Sequence, residues 1–560
     1  MLIKTRKINQ KLKKALIKKG VESNLASIIC TRNITSADKI DYDLKNLIAP
    51  DYLLNITKAA EFLYDCIESE KKIIIIGDYD TDGATATACG ILGLRKFSAK
   101  VDFLVPNRFK YGYGLSPQIV EKALLKKPDL IITVDNGVAS IEGVNFARAN
   151  NIDVIVTDHH LPGEQLPDAN FIINPNQPKC SFLSKNLCGV GVIFYLLLCL
   201  RKIYRERGKY KNLPEPKLND LLDLVCLGTI ADLVKLDYNN RILVEHGMKI
   251  IRSKSCNFGI QAIAKLSKKI LSELKTTDLS FAIAPKLNAA GRIDDMSIGI
   301  KCLIAENYPE AEYYSNQLID LNNRRRDIEK KMHIEALIDN NHDNSVSSFS
   351  ICLFGKSWHQ GVIGILASRM KEKYFRPSII FALDDNGSLK GSGRSIPGLH
   401  LRDTLDLVAK KETGLIQSFG GHAMAAGLTI EKENFELFKK LFEQCCQELL
   451  SEDDLNLTVD IDESILDDSI NFDIIKQINM STWGQGFNPP LYKDNFEVIE
   501  QSILGDKHTK CLISLNEQNY PAIFFNQTDN LPDRIEAIYS IESNEFRGNK
   551  KIQLILRDLI

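Results

Sequence analysis

Residues 73–88, IIIIGDYDTDGATATA, constrain the fold of this 560-residue chain more than any other stretch. The four isoleucines predict a strand, and Asp78, Asp80 and Asp82 follow them directly. Like charges this close repel one another unless a cation lies between them. An EF-hand loop is disfavoured, because it needs a preceding helix and a Glu at its twelfth position, which is Cys89 here. A solvated acidic turn stays open beside the hypothesis of a metal-binding strand end.

The pattern along the rest of the chain predicts an α/β multidomain protein. From about residue 70, helix-like segments separate the short apolar runs KKIIIIGD, KVDFLVP, DLIITVD, IDVIVTD and NFIINP. This alternation predicts a parallel sheet with helices on its faces. Residues 305–343 have the polar, charged pattern of a long connecting helix, and a second α/β segment follows. Beyond residue 453, short strand-like runs predict a small β-barrel, for which an OB-fold is the natural candidate.

Charge and cysteine usage narrow the class of protein. The formal net charge of -1 excludes a globally basic chain, so nucleic-acid binding would depend on local clusters such as residues 4–19. A solvated helix face explains such a cluster equally well. The 13 cysteines form no C-x-x-C pair, which favours reduced thiols in a cytoplasmic protein over a disulfide framework. We also expect no membrane segment, since the run GVGVIFYLLLCL from Gly189 is too short for a bilayer and predicts a buried helix.

Acidic and imidazole side chains recur where apolar runs end. Asp135 follows DLIITV, the triplet Asp158–His160 follows IDVIVT, and Asp232 follows CLGTIA. Ligands gather at the carboxyl ends of parallel strands, so we expect these groups to meet there, all at strand ends. Oxygen ligands with a few imidazoles suit Mg²⁺ or Mn²⁺, and two such ions support attack of water on phosphorus. Each signal alone is weak, because an Asp after a strand is often a helix N-cap.

The four motifs together resemble a known superfamily. GDYDTDGATATA, VDNG, VTDHH and GTIADLVKL resemble the motifs of the DHH-type phosphoesterases and, more narrowly, those of the RecJ family of bacterial single-strand-specific 5′→3′ exonucleases. FGGHAMAAGLTI looks like the signature of a DHHA1 domain. The resemblance implies a basic helical lead-in at 1–55, a DHH domain at 56–304 with a parallel sheet, a connecting helix at 305–343, an α/β DHHA1 domain at 344–452 and an OB-like nucleic-acid-binding domain at 453–560.

The resemblance also implies a metal centre for two divalent cations, Mn²⁺ or Mg²⁺. Asp80 and Asp82 match the first ligand pair, Asp135 would bridge the two ions, and Asp78 would be either a ligand or a structural residue. The shells would be completed by His159 and Asp232. A catalytic role is implied for His160 at the scissile phosphate, for Asp158 as the residue that orients the histidines, and for the bridging Asp135.

A separate set of residues is implied to bind substrate. The proposed 5′-phosphate ligands are Arg108, Arg292, Ser392 and Arg394, and the glycines around Ser392 would let backbone approach an anion. His422 and Gly421 would contact the DNA backbone, with the small residues after His422 suited to helix packing. Tyr113 would stack on a base or pack in a turn.

The resemblance predicts an exodeoxyribonuclease that degrades single-stranded DNA from a 5′ end to 5′-mononucleotides in recombination and repair. Expected partners are single-stranded DNA, single-strand-binding protein and a RecQ-type helicase, with the protein itself monomeric. Two alternatives stay open. One is a DHH-type phosphodiesterase for oligoribonucleotides or cyclic dinucleotides, and the other is an inactive relative that only binds single strands.

Overall fold

The computed structural model describes residues 1–107, 114–253, 255–342, 348–466, 470–505, 507–546 and 549–560. The chain divides into two compact units. One comprises residues 1–4 and 321–459, and the other comprises residues 5–320 and 460–560. The C-terminal residues therefore belong to the same unit as the N-terminal α/β domain.

The N-terminal α/β domain is built on the predicted parallel sheet. Its strands are β2 (Lys72–Gly77), β3 (Lys100–Leu104), β4 (Leu130–Val134), β5 (Asp153–Thr157) and β6 (Phe171–Ile173). Their order is β3-β2-β4-β5-β6, and each neighbouring pair is parallel. The apolar runs are continuous because both faces of the central strands are buried; Ile73, Ile74, Ile75 and Ile76 are 0–2% exposed.

Helices cover this sheet and extend beyond it. They are α1 (Gln10–Lys18), α2 (Ser23–Ile29), α3 (Ile56–Glu68), α4 (Thr81–Arg95), α5 (Pro117–Leu124), α6 (Ile141–Ala149), α7 (Gly189–Glu206), α8 (Leu222–Ala231), α9 (Tyr238–Arg252), α10 (Phe258–Leu266), α11 (Ala284–Ile293) and α12 (Ser297–Leu303). The predicted buried helix is α7, whose apolar first three turns contain fully buried residues such as Phe194 and Leu197. The first strand, β1 (Leu2–Thr5), pairs with β12 (Thr458–Ile461), so the lead-in is not purely helical.

The long connecting helix is α13 (Tyr308–His342), close to its predicted bounds. The second α/β segment contains β7 (Ile351–Gly355), α14 (Ile363–Tyr374), β8 (Ser378–Leu383), β9 (Leu389–Arg394), α15 (Leu401–Lys411), β10 (Ile416–Gly421), β11 (Ala425–Ile430) and α16 (Phe435–Leu449). Its sheet has the order β10-β11-β9-β8-β7, and only β7 and β8 are parallel. The aromatic rings of Phe381, Phe438 and Phe442 pack in its core.

The C-terminal domain is a closed barrel, as predicted. It follows α17 (Phe472–Met480) and contains β13 (Tyr492–Leu504), β14 (His508–Leu515), β15 (Gln518–Phe524), β16 (Arg534–Phe546) and β17 (Asn549–Leu559). Polar contacts attach this region to the N-terminal domain. The hydroxyl of Thr482 donates to Glu245 over 2.6 Å, and the amide of Leu236 donates to the carbonyl of Gln485 over 2.8 Å.

The cysteines are thiols that fill space. All 13 are free, and all except Cys180 are buried. Within the described parts of the chain, no helix combines the length and the apolar character needed to cross a bilayer.

Candidate metal centre

The first acidic motif forms the turn from β2 into α4. Asp80 is the N-cap of α4, and its Oδ1 atom accepts a hydrogen bond from the amide of Gly83 over 2.9 Å. Asp82 lies in the first turn of the same helix and is fully buried. A side chain at Gly83 would lie 2.5 Å from the carbonyl oxygen of Asp78, so only glycine lets this turn close. The turn therefore brings three carboxylates to one end of the strand.

Asp135 follows β4 in an unusual backbone conformation. Its φ angle is 60°, in the left-handed region, and its amide donates to the carbonyl of Thr157 over 3.1 Å. Such a conformation costs about 1–3 kcal/mol in a residue other than glycine and is concentrated at functional sites. The strain places the Asp135 carboxylate at the carboxyl edge of the sheet.

The Asp158 carboxylate orients the two histidines that follow it. Oδ1 of Asp158 accepts from the amides of His159 and His160 over 2.7 and 3.1 Å and lies 2.8 Å from Nδ1 of His160. Its Oδ2 atom accepts from the amide of Val138 over 2.9 Å. Asp158 is 1% exposed, and these hydrogen bonds fix the ring of His160 relative to the strand end. Burial by itself would lower the pKa of His160, but the hydrogen bond and charge of Asp158 outweigh it and raise the pKa to about 9.

The imidazole of His159 lies among carboxylates from three different segments. Its Nε2 atom is 3.1 Å from Asp135 Oδ1, 3.6 Å from Asp232 Oδ2 and 4.0 Å from Asp82 Oδ2. Three groups of side chains could each hold a metal ion, because the ligand atoms within a group all lie within 4.8 Å of one another. The groups are Asp82, His159 and Asp232; Asp135, His159 and His160; and Asp78, Asp80 and Asp135. The structure thus brings together every predicted ligand.

The prediction that all four acidic groups lie at strand ends is wrong for Asp232. Asp232 is the C-cap of α8, a helix that is buried on all sides. A short apolar run such as LDLVCLGTIA lacks the periodicity that would distinguish a buried helix from a buried strand. The position of the carboxylate beside His159 is unaffected, because α8 ends at the edge of the sheet where the other ligands lie.

The donor set fits divalent cations. Burial, followed by the charge of Asp80, raises the pKa of Asp82 to about 7. Burial and the neighbouring carboxylates also raise the pKa values of Asp135 and Asp232 well above the ordinary range. Carboxylates crowded in this way are stable in the ionised form when cations lie between them. Carboxylate oxygens with one or two imidazoles are the ligands that Mn²⁺ accepts.

Several residues that contact this centre are not apparent from the sequence. The amides of Gly189 and Val190, at the start of α7, donate to Oδ2 and Oδ1 of Asp82 over 2.5 and 3.0 Å. The side chain of Asn288 on α11 accepts from the amide and the hydroxyl of Thr81 over 2.8 and 2.9 Å. The side chain of Asn174 donates to the carbonyl of His160 over 2.8 Å. Backbone-directed contacts of this kind leave no motif in a single sequence.

Ser392 and Arg394 lie on one face of β9, as alternate residues of a strand should. Nη1 of Arg394 is 3.4 Å from Oγ of Ser392 and donates to the carbonyl of Gly393 over 2.8 Å. The idea that the flanking glycines approach an anion is wrong. Gly391 and Gly393 are buried on the opposite face, where added side chains would meet Phe381 at 2.5 Å and Leu401 at 2.7 Å. These glycines exist because the core leaves no room for a side chain.

His422 lies in the turn of the β10–β11 hairpin. The expectation that the small residues after it pack in a helix is wrong, because Ala425–Ile430 form strand β11. Gly421 has a φ of 142°, and a side chain there would lie 2.4 Å from the carbonyl oxygen of Ala425. Glycine is therefore required for the turn that presents His422.

Of the remaining predicted substrate-binding residues, the structure describes only Arg292. Arg292 lies in the last turn of α11 and is half-buried. The preceding Gly291 is so close to the backbone of Tyr79 that a side chain would overlap it. This contact holds α11 against the acidic turn of the metal centre. Arg108 and Tyr113 lie outside the described residues.

Comparisons with known proteins give one consistent result. Three family models match the chain: the N-terminal domain of the DHH family at 72–229, the DHHA1 domain at 346–448 and the RecJ OB domain at 461–558. The chain is 42% identical over 551 residues to the single-stranded-DNA-specific exonuclease RecJ of Escherichia coli K12, covering 96% of this chain and 95% of that protein. It is 32% identical to the RecJ protein of Bacillus subtilis 168, covering 95% of this chain and 67% of the relative.

The fold matches solved structures of the same kind. The crystal structure of RecJ from Thermus thermophilus in complex with Mn²⁺ matches with a TM-score of 0.83 and 26% identity, covering 100% of this chain and 79% of that one. A structure of exonuclease RecJ bound to manganese matches with a TM-score of 0.60 and 31% identity, covering 72% of this chain and 97% of that one.

Proposed function

The chain belongs to the RecJ family of single-stranded-DNA-specific exonucleases, and from that premise we propose that it hydrolyses single-stranded DNA from the 5′ end to 5′-mononucleotides. The observation that carries the proposal is the intact set of ligands around His159, with Asp135, Asp232 and Asp82 within 4.0 Å of its Nε2 atom. A relative that only bound single strands would not need this buried cluster of carboxylates, whose repulsion is unfavourable without cations.

Two divalent cations, Mn²⁺ or Mg²⁺, are the cofactors of this proposal. The proposed ligands are Asp80, Asp82, Asp135, His159 and Asp232, with Asp78 as a further candidate, and the proposal is supported by the short distances between their ligand atoms. When bound, such ions lower the pKa of water and neutralise the charge that develops on a phosphoryl group.

In this proposal the protein orients the ring of His160 and keeps a proton on it. Because Asp158 faces Nδ1 of His160, the imidazole presents its Nε2 atom away from Asp158. A pKa of about 9 keeps the metal-free imidazole protonated at neutral pH. His160 can then donate a hydrogen bond from Nε2 to a non-bridging oxygen of the scissile phosphate, and such charge-assisted bonds are stronger than neutral ones. Asp158 stabilises the imidazolium and fixes the ring.

The 5′ polarity would come from recognition of the terminal phosphate. We propose Ser392 and Arg394 as ligands of that phosphate, because a hydroxyl and a guanidinium project from the same face of β9. The proposal extends to Arg292 and, by resemblance, to Arg108. His422 and Gly421 are proposed contacts of the DNA backbone, and Tyr113 is a proposed base contact.

The wider role follows from the substrate. An enzyme that removes nucleotides from single-stranded 5′ ends would serve recombination and repair in the cytoplasm, as a monomer. Single-strand-binding protein and a RecQ-type helicase are proposed partners, since a helicase supplies single strands and the binding protein covers them.

Comparison of substrates tests the proposal directly. Purified protein with Mn²⁺ should release mononucleotides from long 5′-phosphorylated single-stranded DNA and leave blunt duplex and cyclic dinucleotides intact. Preferential hydrolysis of cyclic dinucleotides or oligoribonucleotides would instead assign the chain to the phosphodiesterases of the superfamily. Binding of single strands without cleavage at any Mn²⁺ concentration would assign it to the inactive binding class.

A further inference from the structure

Two glycines lie against the carboxylates of the metal centre, at points where two helices approach them. Gly189 is the first residue of α7, and an added β-carbon would lie 2.4 Å from Cβ and 2.8 Å from Cγ of Asp135. Gly228 lies near the end of α8, and an added β-carbon would lie 2.7 Å from Oδ1 of Asp82 and 2.4 Å from Oγ1 of Thr85. Because β-carbons do not approach other heavy atoms this closely, an added side chain would force the glycine or the neighbouring atoms to move. In both cases a ligand is among the atoms that must shift.

The close approach of α7 allows its backbone to form hydrogen bonds with a ligand of the metal centre. The amides of Gly189 and Val190 each donate to a different oxygen of Asp82, which fixes its carboxylate in one orientation. A carboxylate has about four lone-pair sites, so both oxygens can still accept a cation. The helix can donate these bonds only if Gly189 comes within van der Waals distance of Asp135, and that approach requires the absence of a side chain.

We propose that Gly189 and Gly228 are positioning residues of the metal centre, whose lack of a side chain lets α7 and α8 hold Asp82 and Asp135 in the geometry that binds cations. An alanine at either position pushes a ligand away from its partners and weakens metal binding. Neither glycine has a side chain with which to contact substrate or a reacting atom. The inference rests on the metal centre of the proposed function, and it adds residues that lie outside the ligand set.

The chain offers a matched control on the same helix. Gly191 is two residues beyond Gly189, and an added β-carbon would lie 3.0 Å from Cδ2 of Leu187 and 3.7 Å or more from the next nearest atoms. The end of a leucine side chain can move by a few tenths of an ångström, whereas the Cα and Cβ atoms of Asp135 are part of the ligand itself. Gly191→Ala therefore introduces the same methyl group in α7 without displacing a carboxylate.

Titration of the metal-free proteins with Mn²⁺ tests the proposal, with free Mn²⁺ read from its electron paramagnetic resonance signal. We expect Gly189→Ala and Gly228→Ala to bind Mn²⁺ about 10- to 100-fold more weakly than the wild type, as is typical when a supporting partner of a ligand is lost. Gly191→Ala should bind like the wild type. The Mn²⁺ concentration for half-maximal cleavage of single-stranded DNA should rise in Gly189→Ala and Gly228→Ala and stay at the wild-type value in Gly191→Ala.

Circular dichroism melts of the metal-free proteins separate positioning from packing. The proposal predicts that both variants keep a cooperative transition and the wild-type spectrum. It is overturned if Mn²⁺ affinity in both variants stays within about twofold of that of Gly191→Ala, or if neither variant folds while Gly191→Ala does. A wild-type protein that fails to bind Mn²⁺ would refute the proposed function itself, so the two failures are distinguishable.

Discussion

Nδ1 of His160 lies 2.8 Å from Oδ1 of Asp158, a carboxylate that also accepts the backbone amides of both histidines. One buried oxygen therefore fixes the turn after β5 and the ring that follows it. Nε2 of His160 is then the ring nitrogen that does not face Asp158, and it is the atom that we propose contacts the scissile phosphate. It also explains why an aspartate precedes the two histidines, since a neutral side chain could accept these bonds without stabilising an imidazolium.

Replacing Asp158 with Asn should lower the pKa of His160 below the value of about 9, because the hydrogen bond and charge that raise it are weakened or lost. The measurement is an NMR titration of the metal-free protein, in which nine histidines contribute signals. As the pH rises, cleavage activity should also begin to fall at a lower pH in the variant than in the wild type, because His160 loses its proton earlier. An unchanged His160 titration would contradict the role assigned to Asp158.

The pH dependence of metal binding follows from Asp82. Its pKa is about 7 in the folded, metal-free protein and about 3.9 in an unfolded chain. The folded state therefore holds this proton more tightly, so the stability it contributes is fully present below about pH 4 and is lost as the pH rises through 7. Mn²⁺ replaces the proton, and its affinity should rise by up to about tenfold per pH unit for each proton displaced as the pH rises toward 7.

Calorimetric titrations with Mn²⁺ between pH 5.5 and 8.5 measure this dependence. Thermal melts without metal should show falling stability over the same range, and added Mn²⁺ should reverse the trend. An affinity that does not change with pH would show that the carboxylates are already ionised without metal, contrary to the effect expected of their burial and mutual repulsion.

The role of Arg394 predicts a change in end preference. Arg394→Ala should reduce the ratio of kcat/KM for 5′-phosphorylated over 5′-hydroxyl single-stranded DNA by about tenfold, since a charged hydrogen bond contributes about 1.5–3 kcal/mol. Arg369→Ala is the control, because Arg369 is exposed and pairs with Glu329 and Glu372. Equal ratios in the two variants would remove Arg394 from the phosphate site.

A buried ion pair near the barrel predicts an effect on stability. Asp462 accepts from both terminal nitrogens of Arg32 over 2.6 and 2.8 Å, and both side chains are 3% exposed. Asp462→Ala leaves a buried guanidinium unpaired and should lower the free energy of unfolding by about 3–5 kcal/mol. Asp460 is 54% exposed and 3.9 Å from Arg6, so Asp460→Ala should cost less than about 1 kcal/mol. Urea denaturation measures the free energy of unfolding of both variants. Equal decreases in Asp462→Ala and Asp460→Ala would contradict the importance assigned to the buried ion pair.

The sequence predicted the parallel sheet, and it predicted that most of the acidic and imidazole side chains would meet at one edge of that sheet, because both features depend on local pattern. Continuous apolar runs specify strands buried on both faces, and parallel topology then brings Asp135 and Asp158 to the same edge as the first motif. Periodicity could not assign Asp232 to a helix, since a fully buried helix and a buried strand look alike over ten residues. Gly189 and Gly391 could not be interpreted either, because a glycine that makes room for a neighbour depends on tertiary contacts.

The proposed 5′→3′ exonuclease activity can be measured with single-stranded DNA that is labelled at either end and incubated with the protein and Mn²⁺ or Mg²⁺, with or without EDTA. We predict early release of labelled mononucleotide from the 5′ end alone, abolished by EDTA and in Asp135→Ala, and unchanged in the control Asp168→Ala, whose aspartate is exposed. Release from the 3′ end first, or full activity in Asp135→Ala, would contradict the account.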